Sequence, residues 1–115
     1  MTEYTKHISE PWFTLIKLGI KKCEGRIKKN DFSKMVKGDI IKFTNEDFGS
    51  IRSYSVKITS IHTYNTFKDY LLNEKLEKCL PGMDTIEEGL SVYYKYFTKA
   101  DEDKYNIVAV RLRVI

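Results

Sequence analysis

The stretch Gly19-Ile20-Lys21-Lys22-Cys23-Glu24-Gly25-Arg26 decides how this chain is read. It follows an apolar helical pattern of Trp12, Phe13, Leu15 and Ile16, which Gly19 stops. Residues 21–28 then read as extended. In that conformation Lys22, Glu24, Arg26 and Lys28 share one face, and Cys23, Gly25 and Ile27 the other. Glu24 and Arg26 come within reach of an ion pair. Gly25 between them leaves room for a ligand ring or a second backbone, or else marks a bulge.

Working outward, Tyr4–Ile8 reads as a first strand, and Ser9-Glu10-Pro11 as a helix opening with a short polar cap. Asn30–Lys34 reads as a short turn or a helical turn, and Lys37-Gly38-Asp39 as a turn that launches a strand over Ile40–Thr44. Ile51–Ile61 alternates through Tyr54, Val56 and Ile58, then slips at Ile61, which predicts a bulge or bend before His62–Tyr64. Thr66–Cys79 reads as one or two short helices broken by Pro81-Gly82. Asp84 and Glu87 have the spacing of a capping box before a helix through Ile86, Leu90, Tyr93, Tyr94 and Phe97. Asp101-Glu102-Asp103 reads as a solvated loop, and Ile107–Ile115 as the last strand, with Val108, Val110, Leu112 and Val114 inward. Strands joined by turns too short for parallel crossovers favour an α+β fold, a small mostly antiparallel barrel with helices closing its ends.

At 115 residues the expectation is a single domain over 1–115. No apolar run reaches membrane-spanning length, and Met1–Ser9 lacks the apolar centre of a signal peptide. Cys23 and Cys79 fit neither a disulfide framework nor a metal spacing, so reduced thiols and a cytoplasmic location are expected. The net charge of +4 is uneven, since nine Lys and Arg residues in 17–42 face only Glu24, Asp31 and Asp39. Such an excess suits an anionic partner as readily as an ordinary solvated face. No phosphate-binding glycine loop, nucleophile elbow or Cys-x-x-Cys pair occurs, which removes most nucleotide-hydrolase, serine-hydrolase and zinc readings. His7 and His62 have no cysteine or carboxylate at ligand spacing, so neither a metal nor any other cofactor is expected.

The motif resembles the Gly-x-Lys-x-x-Glu-x-Arg signature of ASCH domains, placed directly after the first helix. The resemblance extends to His7 with Pro11-Trp12-Phe13, to Val36-Lys37-Gly38-Asp39-Ile40-Ile41, and to the closing Lys104-Tyr105-Asn106-Ile107-Val108-Ala109-Val110-Arg111-Leu112. It implies a PUA-like β-barrel, a fold whose members commonly bind RNA, with a cleft lined by the signature as the ligand site. It also implies an alternative. Some small ASCH proteins are amidohydrolases that deacetylate N4-acetylcytidine with a lysine, a threonine nucleophile and a distant glutamate. Lys21 matches the lysine, the threonine position holds Glu24, and Glu74 and Glu77 are the regional candidates for the last role.

Two functional expectations follow. In the first, single-stranded or modified RNA, or a nucleoside, is held by Lys21, Lys22, Arg26 and Lys28, with Trp12 against a base and His7 in the cleft. In the second, Glu24 activates water on an acylated nucleoside while Lys21 steadies the oxyanion. A protein-interaction module built on the same barrel is a third. No membrane partner is expected, and a monomer is the expected state.

Overall fold

The computed structural model describes all residues, Met1–Ile115. Five strands form one sheet in the order β1-β3-β4-β5-β2: β1 (Glu3–His7), β2 (Cys23–Ile27), β3 (Ile40–Asn45), β4 (Arg52–Tyr64) and β5 (Ile107–Val114). All neighbours are antiparallel except β1 and β3. That parallel pair is allowed because α1 (Trp12–Lys17) and β2 lie between the two strands in the chain and supply a long crossover. The first and second strands therefore end at opposite edges of the sheet, which curls into a half-barrel.

Alternation along the strands gives the sheet two faces. Phe13 of α1 packs on Tyr54 with ring centroids 4.7 Å apart, so α1 covers the face carrying Tyr54, Val56 and Ile58. The opposite face, at the β2–β5 end, receives α2 (Phe67–Glu74), whose Tyr70 ring lies on Gly25. With helices on both sides, Ile107–Val110 of β5 is wholly buried rather than alternately so. One contiguous core of 23 buried residues runs through both layers. Against α2 sit α3 (Leu76–Cys79) and α4 (Ile86–Tyr93), while α5 (Lys99–Tyr105) packs on β2.

Several local expectations move. Ser9 does not cap α1. Instead the Glu10 carboxylate accepts from the Thr14 N–H (2.9 Å) and hydroxyl (2.7 Å), because Glu10 is one turn before Thr14. The bulge falls between Ile58 and Ser60, so β4 is continuous and its alternation changes phase two residues before the slip at Ile61 shows it. The cap of α4 is Thr85, accepting from the Glu88 N–H at 3.2 Å, one residue after the expected Asp84. Residues 101–103 are helix, not loop. Thr98 and Asp101 form the capping box of α5, and Glu102 is buried, its carboxylate accepting from the Tyr94 hydroxyl.

Candidate functional site

Where α1 stops, Gly19 takes φ +76°, and the Ile20 and Lys21 N–H groups both return to the Leu15 carbonyl at 3.0 Å. That reversal, which a left-handed glycine makes inexpensive, turns Lys21 inward. Lys21 is 1% exposed. Its ammonium donates to the Cys23 carbonyl at 2.7 Å and to the Cys79 carbonyl, and lies 3.3 Å from Glu24 Oε1. An ammonium has three N–H bonds, and here three oxygens meet them. The other carboxylate oxygen of Glu24 accepts from Arg26 Nε at 3.0 Å, and Arg26 Nη2 reaches the His7 carbonyl at 3.1 Å. Arg26 thus ties the two edge strands across the open side of the half-barrel. Its guanidinium also lies over the Phe32 ring, 4.9 Å from the centroid.

Burial pushes the Glu24 carboxyl up, but the Lys21 ammonium and Arg26 guanidinium outweigh it and hold Glu24 below its ordinary range. The site therefore presents an ionised Glu24 held between Lys21 and Arg26 rather than a free acid or base, with Arg26 N–H groups to spare.

Beside these residues is a cleft of about 340 Å³. The Glu24–Arg26 segment forms one wall, and His7, Ile8, Ser9 and Trp12 a second. Val92, Tyr93, Tyr96 and Phe97 form a third, with Leu80 at the back. Tyr93 is fixed by stacking on Phe67 (centroids 4.6 Å, planes at 10°) and by a 2.9 Å hydroxyl contact with Tyr70. Tyr96 is free at the mouth, 64% exposed. The backbone contributes as well. Lys22 accepts from the Leu112 N–H and Lys28 donates to the Asn106 carbonyl, so Glu24 and Arg26 turn their peptide groups toward β5. Gly25, in alternation, turns its N–H and C=O away from β5, on the side of the cleft.

The structure brings together Lys21, Glu24, Arg26, Trp12 and His7. Trp12 is mostly core, and its ring lies 5.8 Å from the Lys21 ammonium. Lys22 and Lys28 line no part of the cleft; Lys28 reaches the Thr63 hydroxyl at 3.2 Å. Glu74 stands apart, on the other face of β2, bound by Arg111 and Tyr64, and Glu77 is exposed. The room at Gly25 is taken by Tyr70. A Cβ there would lie 2.7 Å from the Tyr70 hydroxyl oxygen and closer to ring carbons, so glycine serves internal packing, neither a ligand nor a bulge. The sequence reading missed the aromatic wall. Tyr93 and Phe97 read as packing residues, which they are, and nothing in the periodicity marked their free edges as a cavity lining.

A half-barrel closed by flanking helices, with a cleft at the seam between its edge strands, defines a PUA-like domain. The chain belongs to the ASCH domain family, whose model matches residues 7–113. It is similar over 99% of its length to the whole of the hypothetical protein PH0355, known from a crystal structure, with 35% identity and a TM-score of 0.89. Protein PF0455 from Pyrococcus furiosus, solved by NMR, is 34% identical over 99% of this chain and 98% of its own, with a TM-score of 0.79. The crystallised ASCH domain of Lactobacillus crispatus, 14% identical over 98% of this chain and 79% of its own, shares the fold at a TM-score of 0.68. No curated protein matches the chain.

Proposed function

We propose that this ASCH domain binds a nucleotide, free or within single-stranded RNA, with the base in the cleft and a phosphate at its mouth. The carrying observation is the combination of an aromatic-walled cavity with a charged Glu24–Arg26 pair fixed at one wall. A cavity of about 340 Å³ is at the small end of ligand pockets, suited to one base rather than a large ligand. Tyr96 offers a face for stacking, and Trp12 adds apolar lining to the cleft. The Gly25 peptide offers a donor and an acceptor side by side for a base edge. Arg26 uses Nε on Glu24 and Nη2 on His7, which leaves further guanidinium N–H groups for phosphate. Lys22 and Lys28, just beyond the two ends of β2 and outside the cleft lining, serve as more distant phosphate contacts.

The same geometry favours binding over amide hydrolysis. A general base needs a proton affinity near the working pH, whereas Lys21 sits as an ammonium donor to two backbone carbonyls and the two cations beside Glu24 lower its basicity. The protein incubated at high concentration with N4-acetylcytidine is expected to yield no cytidine by chromatography. Release of cytidine, lost in Lys21→Met, would establish the hydrolase instead.

Fluorescence anisotropy with a labelled single-stranded oligoribonucleotide tests the binding reading. Affinity is expected to fall with salt, and Arg26→Ala to reduce the slope of log K against log salt by about 0.7, one single-strand phosphate contact. Binding indifferent to both salt and Arg26 sinks the proposal.

A further inference from the structure

We propose that Lys37, Lys57 and Arg113 form a second contact for polynucleotide phosphates, on the back of the sheet and separate from the cleft. The three line an open groove of about 580 Å³ together with Gly38, Ile58 and Thr59, and no residue is shared with the cleft. Two backbone features shape the groove. The Lys37–Gly38 turn, with Gly38 at φ +94°, is clamped to β4 by Gly38 N–H to the Ile58 carbonyl (2.9 Å) and Ile58 N–H to the Asp39 carbonyl (2.9 Å). At the same place the β4 bulge between Ile58 and Ser60 leaves Thr59 outside the ladder. Bulges commonly re-aim side chains at functional surfaces.

The charges are arranged against the protein's own stability. Lys57 and Arg113 are directly opposite on neighbouring antiparallel strands, an arrangement in which like charges repel. None of the three cations has a carboxylate within 4.0 Å. Asp39, two residues from Lys37, spends its carboxylate on the Thr2 N–H (2.9 Å) and Val36 N–H (3.0 Å). In the row running through Arg113, Lys57 and Ile40, the first acidic residue is Glu3, two strands or roughly 10 Å beyond Lys57. An unneutralised trio around a concavity matches a run of phosphates, whose charges are spaced along a chain.

The inference rests on the nucleotide reading of the cleft for the identity of the polyanion, and the experiment separates the two. A 12-nucleotide single strand reaches about 40 Å even at a stacked rise of ~3.4 Å per residue. That exceeds the 32 Å long axis of the domain. Such an oligoribonucleotide is titrated into isotope-labelled full chain and backbone amide shifts are followed. Shifts are expected at Gly38, Thr59 and Arg113 as well as at Gly25 and Tyr96. The triple variant Lys37→Ala/Lys57→Ala/Arg113→Ala should lower the salt slope of oligonucleotide binding by about 2, from three contacts of ~0.7 each. It should leave mononucleotide shifts in the cleft unchanged, and without RNA its melting temperature should be equal or higher. Shifts confined to the cleft, or an unchanged salt slope, overturn the second contact and leave the cleft reading standing. Shifts at the trio alone sink the cleft reading and keep the trio. No shift anywhere removes both.

Discussion

Glu24 and Glu74 are both buried carboxylates, both ionised below their ordinary range, and both paired with an arginine, yet they do different work. Glu24 stands between a sealed Lys21 and a partly exposed Arg26, at the wall of a cavity. Glu74 ends α2 and takes Arg111 on both oxygens, at 2.7 and 3.1 Å. It also accepts from the Tyr64 hydroxyl, and the Cys23 thiol approaches it at 3.7 Å. Every lone pair faces protein, and the result fastens the helical layer to the sheet. Burial and a lowered pKa are common to a site and to a brace. What separates them is the cleft: Arg26 lines it, whereas Arg111 lies outside it and faces solvent from the far side of β2.

The sharpest break of this comparison is Lys21→Met. It strands Glu24 with Arg26 alone and leaves the Cys23 and Cys79 carbonyls without their donor. Removing one partner of a buried ion pair costs about 3–5 kcal/mol, read as a lower urea midpoint. A loss under 1 kcal/mol would mean that Lys21 is not sealed as described. Gly25→Ala comes next. The methyl group overlaps the Tyr70 ring, itself fully buried, so a loss of about 1–3 kcal/mol is expected. Combining it with Tyr70→Leu should cost less than the two single losses together, because the clash is shared.

The motif was legible because its chemistry is local. Gly19 stops a helix, and strand alternation alone puts Glu24 beside Arg26. The barrel was legible through β3, β4 and β5, whose patterns are long. What stayed hidden depends on distant partners. Arg26 reaching His7, Tyr70 lying on Gly25, and the α4 aromatics closing the cleft each join elements that no periodicity connects. The α5 helix was missed for another reason. Asp101-Glu102-Asp103 looks solvated by composition, but its acids occupy the first helical turn, where the N-terminal dipole favours them, and Thr98 caps it. Lys37, Lys57 and Arg113 are unremarkable as sequence, and only the strand register and the bulge bring them together.

The smallest effect discriminates most finely. Glu74→Gln keeps the shape and an acceptor for Arg111, which is half-exposed and can hydrate, so at neutral pH the loss should be about 1 kcal/mol. Its signature is in the pH dependence. Burial raises the Glu74 carboxyl, but hydrogen bonds from Arg111 and Tyr64 bring it below its ordinary 4.5. A carboxyl depressed in the folded state stabilises above its unfolded pKa, and that contribution is lost as pH falls through the folded value. Wild type should therefore hold its stability down to about pH 4.5 and lose it progressively below, with Glu24 contributing in the same direction. In Glu74→Gln the decline below about pH 4.5 should be shallower, while mononucleotide affinity at neutral pH stays at the wild-type value. Affinity that falls with this variant would place Glu74 in the binding machinery and erase the distinction between brace and site.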